Sequence, residues 1–226
     1  MKDQIVTLAV TKMLSGMCTG GVSLRTDKWV RPIKEFGTLT LGDLTYADKT
    51  VMRPFDVVEY NLLRYRPQPP HVEDWTCDFL HSRPICIRRL DGEARAAFLE
   101  KSSEPDAPAQ LEKLERSLAL IGPTEPVASF ALDSYSGKFD ARIAVPEMGA
   151  RPIPVTDIKW RALGRSLVGA GGSARLSAND LREKFGIEKI YVAIGLSRTH
   201  EGKHWTLIVG VHTLPDYQAD IDYRNL

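Results

Sequence analysis

The chain has no apolar run approaching the roughly 20 residues that cross a bilayer. Its 226 residues include only three cysteines, and its net charge is +1. The first of these excludes a helical membrane anchor. Cys18, Cys77 and Cys86 are odd in number and fit no zinc or redox spacing, so reduced thiols are expected in place of a disulfide framework or a metal site. Catalytic signatures are also missing. There is no Gly-x-Ser-x-Gly, and Gly195-Leu196-Ser197-Arg198 ends a strand and runs into a turn, not into a helix. Asp133, Asp140 and Glu147 precede no Glu-x-Lys of the metal-nuclease kind. Gly16-Met17-Cys18-Thr19-Gly20-Gly21 lacks the Gly-Lys-Ser/Thr ending of a phosphate loop and reads as a turn. His200 and His204 have i, i+4 spacing, but Gly202 between them implies a turn, where the rings need not converge. No cofactor and no metal are expected. The first residues carry an acid ahead of a short apolar stretch and no small-residue cleavage site, so they read as a first strand and a cytoplasmic location is expected.

Hydrophobic residues make up 43% of the chain, and its length suits one large β domain or two small ones of roughly 100 residues. Alternating apolar residues predict strands over 5–11, 20–24 and 29–33, with Arg25-Thr26-Asp27-Lys28 as a turn between the last two. In 55–63 the set Val58, Tyr60, Leu62 is the inward one, and Pro67, Pro69 and Pro70 end the strand. The period then changes to 3.6, predicting helices over 91–101 and 109–120. Strands resume at 127–132, 139–145, 190–196 and 206–212, with a short helix over 177–185 capped by Ser177 and a flexible Gly-rich loop at 169–173. The polar, proline-bearing stretch 102–108 and Gly122-Pro123 mark a boundary. The expected organisation is a barrel over 1–101, a hinge and linking helix over 102–122, and a second barrel with an inserted helix over 123–226. Closure of such strand groups removes exposed edges, so the fold class is mainly β with a few helices, as two tandem OB-like small barrels. An SH3-like barrel or one continuous sandwich gives much the same pattern.

Positive charge is uneven. Residues 1–34 carry six Lys/Arg against two Asp/Glu, and residues 151–184 carry seven against three. Two such excesses, one in each half, would steer an anionic partner. Tryptophans lie among them: Trp29 between Lys28 and Arg31, Trp160 between Lys159 and Arg161, and Trp205 after Lys203 and His204. Only Trp75, after Glu73-Asp74, has no basic neighbour in sequence. Stacking of bases on such rings with phosphates held by cations binds single strands, whereas the bland alternative makes each Trp a core plug with its cations solvated.

The runs Cys18-Thr19-Gly20-Gly21-Val22, Lys28-Trp29-Val30-Arg31-Pro32-Ile33, Asp56-Val57-Val58-Glu59 and His71-Val72-Glu73-Asp74-Trp75 resemble the dual OB-containing domain family of prokaryotes. Gly195-Leu196-Ser197-Arg198, His204-Trp205 and Gly210-Val211 resemble its closing strands. Asp74 stands where that family is expected to have Asn, and Thr19-Gly20-Gly21 replaces an Ala-Gly pair. The resemblance implies two tandem OB barrels and nucleic-acid handling in defence-type systems. The leading expectation is a non-catalytic module for single-stranded DNA or RNA, carried by Lys28, Trp29, Arg31, Lys159, Trp160, Arg161, Arg165 and Arg198. A sensor or interaction module for a small nucleotide or a protein partner is the alternative. An enzyme using Ser197, Arg198, His200, His204 and Asp133 stands last.

Overall fold

A computed structural model describes residues 1–13 and 15–224. They form two compact units, 1–102 with 109–119, and 103–108 with 120–226. In the first unit the strands are β1 Lys2–Met13, β2 Gly16–Ser23, β3 Trp29–Ile33, β4 Asp56–Tyr65, β5 Asp74–Cys77 and β6 Ile85–Arg89. β1, β2 and β3 form an antiparallel meander, β3 pairs in parallel with β5, β5 runs antiparallel to β4, and β4 returns antiparallel to β1. Five strands thereby close in the order 1-2-3-5-4-1, and β6 adds to the start of β4. Alternation along β4 buries Val58, Tyr60 and Leu62, as the sequence predicts, and leaves the strand exposed from Leu63 on.

Buried charge fixes the β3–β5 seam. Arg31 and Asp74 are cross-strand neighbours, and the Arg31 Nε donates to Asp74 Oδ1 at 2.6 Å. The adjacent Glu73 carboxylate accepts from the Ser117 amide and hydroxyl at 2.7 and 2.8 Å and from the Leu118 amide at 2.9 Å. That anchor overrides the helical period of 109–120. Helix α1 spans Gly92–Ser102, but α2 covers only Ala107–Glu112 and β7 occupies Leu118–Ile121. Leu114, in left-handed backbone at φ 57°, breaks the predicted helix between them. The predicted turn at 16–21 is likewise part of β2, paired with β1.

The second unit holds residues 120–121 of β7, then β8 Val127–Leu132, β9 Phe139–Ala144, β10 Pro152–Pro154, α3 Ile158–Val168, β11 Gly172–Leu176, α4 Ala178–Phe185, β12 Lys189–Leu196 and β13 Thr206–Leu214. One sheet has the order β10-β9-β8-β11 and the other β13-β12-β7. They meet at a parallel bridge between Val155 and Ile208, where the Thr156 amide donates to Ile208 O at 2.8 Å. Among the described residues no ladder joins β8 to β12, the pairing equivalent to the closing β1–β4 of the first unit. Of residues 169–173, expected to be a loop, 169–171 form the turn after α3, while 172 and 173 start β11, which pairs with β8. Helix α4 starts on Ser177, whose hydroxyl accepts from the Asp180 amide as the sequence predicts.

Helix α3 was not foreseen. Asp157 starts it: Oδ1 accepts from the Lys159 and Trp160 amides at 2.7 and 3.1 Å, while Oδ2 accepts from the Val211 amide on β13 at 2.7 Å. One carboxylate thus caps the helix and ties it to a strand. Burial pushes this carboxyl up to about 6, against the pull of those three amides. The folded state therefore holds the Asp157 proton more tightly than the unfolded chain does. The resulting stability is fully present below about pH 4 and is lost as pH rises through 6, on the order of 2–3 kcal/mol. Urea midpoints for the wild type and Asp157→Asn across pH 4–7 check this. The difference between the two is expected to shift against the wild type as pH rises, and a constant difference would contradict the assignment.

Candidate nucleic-acid interface

Strand pairing lays out the outer face of the second unit row by row, because cross-strand partners share a face. Phe130, Ala141, Ala128, Ile143 and Ile153 point inward and are buried. Their neighbours in sequence point out. Arg175 on β11 lies opposite Ser129 on β8, Ser129 opposite Arg142 on β9, and Arg142 opposite Pro154 on β10. The flanking rows are Ser173, Ala131, Asp140 on one side and Val127, Ala144, Pro152 on the other. The central row carries two arginines with Ser129 between them, and the flanking rows add Asp140 and Val127 to small residues and proline. Arg142 is paired with Asp140 at 2.7 Å in an exposed ion pair, which solvent and salt keep weak.

The Val155–Ile208 bridge brings the chain just after β10 to the beginning of β13. Trp205, three residues before that bridge on the β13 side, is 54% exposed. It belongs to an arm that extends β12 and β13. The Ser197 amide donates to Trp205 O at 2.8 Å, and the Trp205 amide donates to Ser197 Oγ at 2.9 Å. His200 and Lys203 exchange both backbone hydrogen bonds at 2.9 and 3.0 Å. Glu201 and Gly202 between them have φ of 52° and 75°. Positive φ at both central residues defines the tight turn that suits strand twist, and only glycine takes the second position without cost. His204 braces the arm, donating from Nδ1 to Ser197 O at 2.8 Å and accepting at Nε2 from the Thr199 hydroxyl at 3.3 Å. The tip exposes Arg198, His200 and Lys203. The second unit thus has an exposed indole on an arm with Arg198 and Lys203, and a separate row bearing two arginines, the residue types that stack bases and hold phosphates in single-strand binders.

Most of the residues expected to form the interface lie elsewhere. Trp29 and Trp160 are core, at 7% and 0% exposure, so neither ring offers a stacking face. Trp160 is also on a helix and not a strand, packed against Phe130 and Tyr217 with ring centroids 5.8 and 5.3 Å apart. Arg31 is spent on Asp74. Lys159 pairs with Asp216 at 2.8 Å and lies over the Tyr217 ring at 4.2 Å. Arg161 donates to Val155 O and Phe139 O, both at 3.2 Å, pinning α3 to the ends of β9 and β10. Burial and then the nearby Arg165 lower its pKa. Arg161 and Arg165 lie over the Phe139 ring, 5.1 and 4.5 Å from its centre. Lys28 is exposed in the turn before β3. Arg198 alone of the set joins the arm. Arg142 and Arg175 were missed because they have no aromatic neighbour in sequence and meet only through β8.

Of the residues considered for catalysis, Asp133 accepts from the Tyr135 and Ser136 amides in the β8–β9 turn, and Ser197 and His204 shape the arm. No group of three or more His, Cys, Asp or Glu that could hold a metal occurs among the described residues. No helix among them is long and apolar enough to cross a membrane.

A mainly β protein with a closed five-stranded barrel of order 1-2-3-5-4-1 is of the OB type, a fold that binds oligonucleotides and oligosaccharides. The chain belongs to the dual OB-containing domain family, whose model matches residues 3–211. No curated protein and no solved structure matches it. Membership in this family suggests a nucleic-acid or oligonucleotide-binding module.

Proposed function

We propose that the chain is a non-catalytic module that binds single-stranded DNA or RNA through the outer face of its second unit. The observation that carries this is the row Arg175, Ser129, Arg142, Pro154, together with the exposed Trp205 of the arm. The second unit is read as a second OB barrel. Its strands β8, β9, β10, β12 and β13 repeat the meander, the parallel step and the antiparallel last pair of the first unit, and they stay open where β12 would meet β8. In such barrels the face of the second and third strands, with the last hairpin loop, is the usual ligand surface, and here these are β9, β10 and the Trp205 arm. The family resemblance supports a setting in prokaryotic defence.

Arg142, Arg175, Arg198 and Lys203 supply about four phosphate contacts, for which single strands give a salt slope near −3. Fluorescence anisotropy with labelled single-stranded and duplex DNA and RNA is therefore expected to show single strands bound in preference to duplexes. Affinity for the strand should be roughly 50-fold weaker at 200 mM than at 50 mM salt. Flat titrations with every oligonucleotide, or a thermal shift with a mononucleotide but none with strands, would overturn the reading.

A further inference from the structure

Strand pairing brings out a repeat between the two units. In the first, the parallel step sets Arg31-Pro32-Ile33 on β3 against Asp74-Trp75-Thr76 on β5, with Pro32 beside Trp75 and Ile33 beside Thr76. In the second, the parallel bridge joins Val155 to Ile208, and counting back the same number of residues on each strand leads to Arg151-Pro152-Ile153 and His204-Trp205-Thr206. The same Arg-Pro-Ile and the same Trp-Thr thus stand at a parallel step in both units, in the second just before the Val155–Ile208 bridge. Trp75 and Trp205 therefore occupy corresponding positions in sequence, at the start of the strand that makes the parallel step in each unit.

Their surroundings differ in one respect. The antiparallel partner of Trp205 is Ser197, whereas that of Trp75 is Tyr65. Trp75 is half-buried, and Tyr65, 49% exposed, lies on it with ring centroids 5.0 Å apart and planes tilted by 40°. The aromatic surface in the first unit is thus presented by a Tyr–Trp pair in place of a single indole. Exposed arginines Arg64 and Arg66 flank Tyr65 in sequence, and both reach Glu35, one through its carboxylate at 2.6 Å and the other through its carbonyl at 3.4 Å. The Trp that stands among acids in sequence has arginines within one residue of its cross-strand partner.

Resting on the function proposed above, we infer that Tyr65 and Trp75 form a second base-stacking site, so that each unit holds its own stretch of single strand. Calorimetric titration with hexathymidylate in low salt, with circular dichroism to confirm folding, tests it. The wild type is expected to bind two hexamers per chain, and Trp75→Ala and Trp205→Ala one each, with the lost site weakened roughly tenfold to hundredfold as for a stacked base. Tyr65→Ala, an exposed position, should remove the same site as Trp75→Ala, and it decides the matter if the latter fails to fold. One hexamer per chain, abolished by Trp205→Ala and untouched by Tyr65→Ala, would overturn the second site and leave the proposed function standing. No binding of hexathymidylate or hexauridylate to the wild type would sink both.

Discussion

Replacing Asp74 with alanine is expected to cost the protein about 3–5 kcal/mol, because it strands a buried guanidinium without its counter-ion. Arg31 and Asp74 have side chains 8% and 2% exposed and face each other across the parallel step of the first barrel. The seam has little else to draw on, since β3 and β5 have five and four residues. Thermal unfolding of Asp74→Ala should fall by roughly 10 °C or more. Removing both charges together, as Arg31→Met with Asp74→Asn, leaves no unpaired ion and is expected to be markedly less damaging than Asp74→Ala alone. A double variant no more stable than the single one would show that the pair does more than cancel its own charge. This also accounts for the aspartate at 74, one of the two departures from the family resemblance: here it is the partner of Arg31.

Reversing the two arginines of the outer face, Arg142→Glu with Arg175→Glu, should weaken strand binding by roughly 100-fold or more. Hydrogen bonds to charged groups contribute about 1.5–3 kcal/mol each, and each reversal adds repulsion from the phosphates. The fold should tolerate the change, since Arg175 is exposed and Arg142 pairs with the half-exposed Asp140. Surface substitutions of this kind usually fall within about 0.5 kcal/mol in stability. Binding lost with an unchanged melting curve is the expected pattern.

Much of the fold is legible in the sequence. The alternation of β4, the capped helix α4 and the two closing strands come directly from local pattern, because their buried sets repeat at the period of their own element. Where the reading failed, a distant partner decided the local structure. The stretch 114–121 keeps a helical period, yet its last four residues form strand β7, whose approach is held by Glu73. Helix α3 carries Gly164 in its middle, which weakens the helical signal. The reason lies on β8, where the Phe130 ring occupies the space that a Cβ at Gly164 would need. The interface suffered most. Adjacency of Trp to Lys or Arg in sequence selected Trp29 and Trp160, whose rings fill cores. The arginines of the outer face come together only across three strands. The repeated Arg-Pro-Ile and Trp-Thr were present in the sequence, but their meaning depends on the parallel step at which both stand.

The most direct test of the central claim is a side-by-side anisotropy titration of the wild type and Arg142→Glu/Arg175→Glu with one labelled single strand across 50–200 mM salt. Salt-dependent binding by the wild type, with the double variant roughly 100-fold weaker and on a shallower salt slope, is the predicted result. Equal affinities and equal slopes for the two proteins would contradict it.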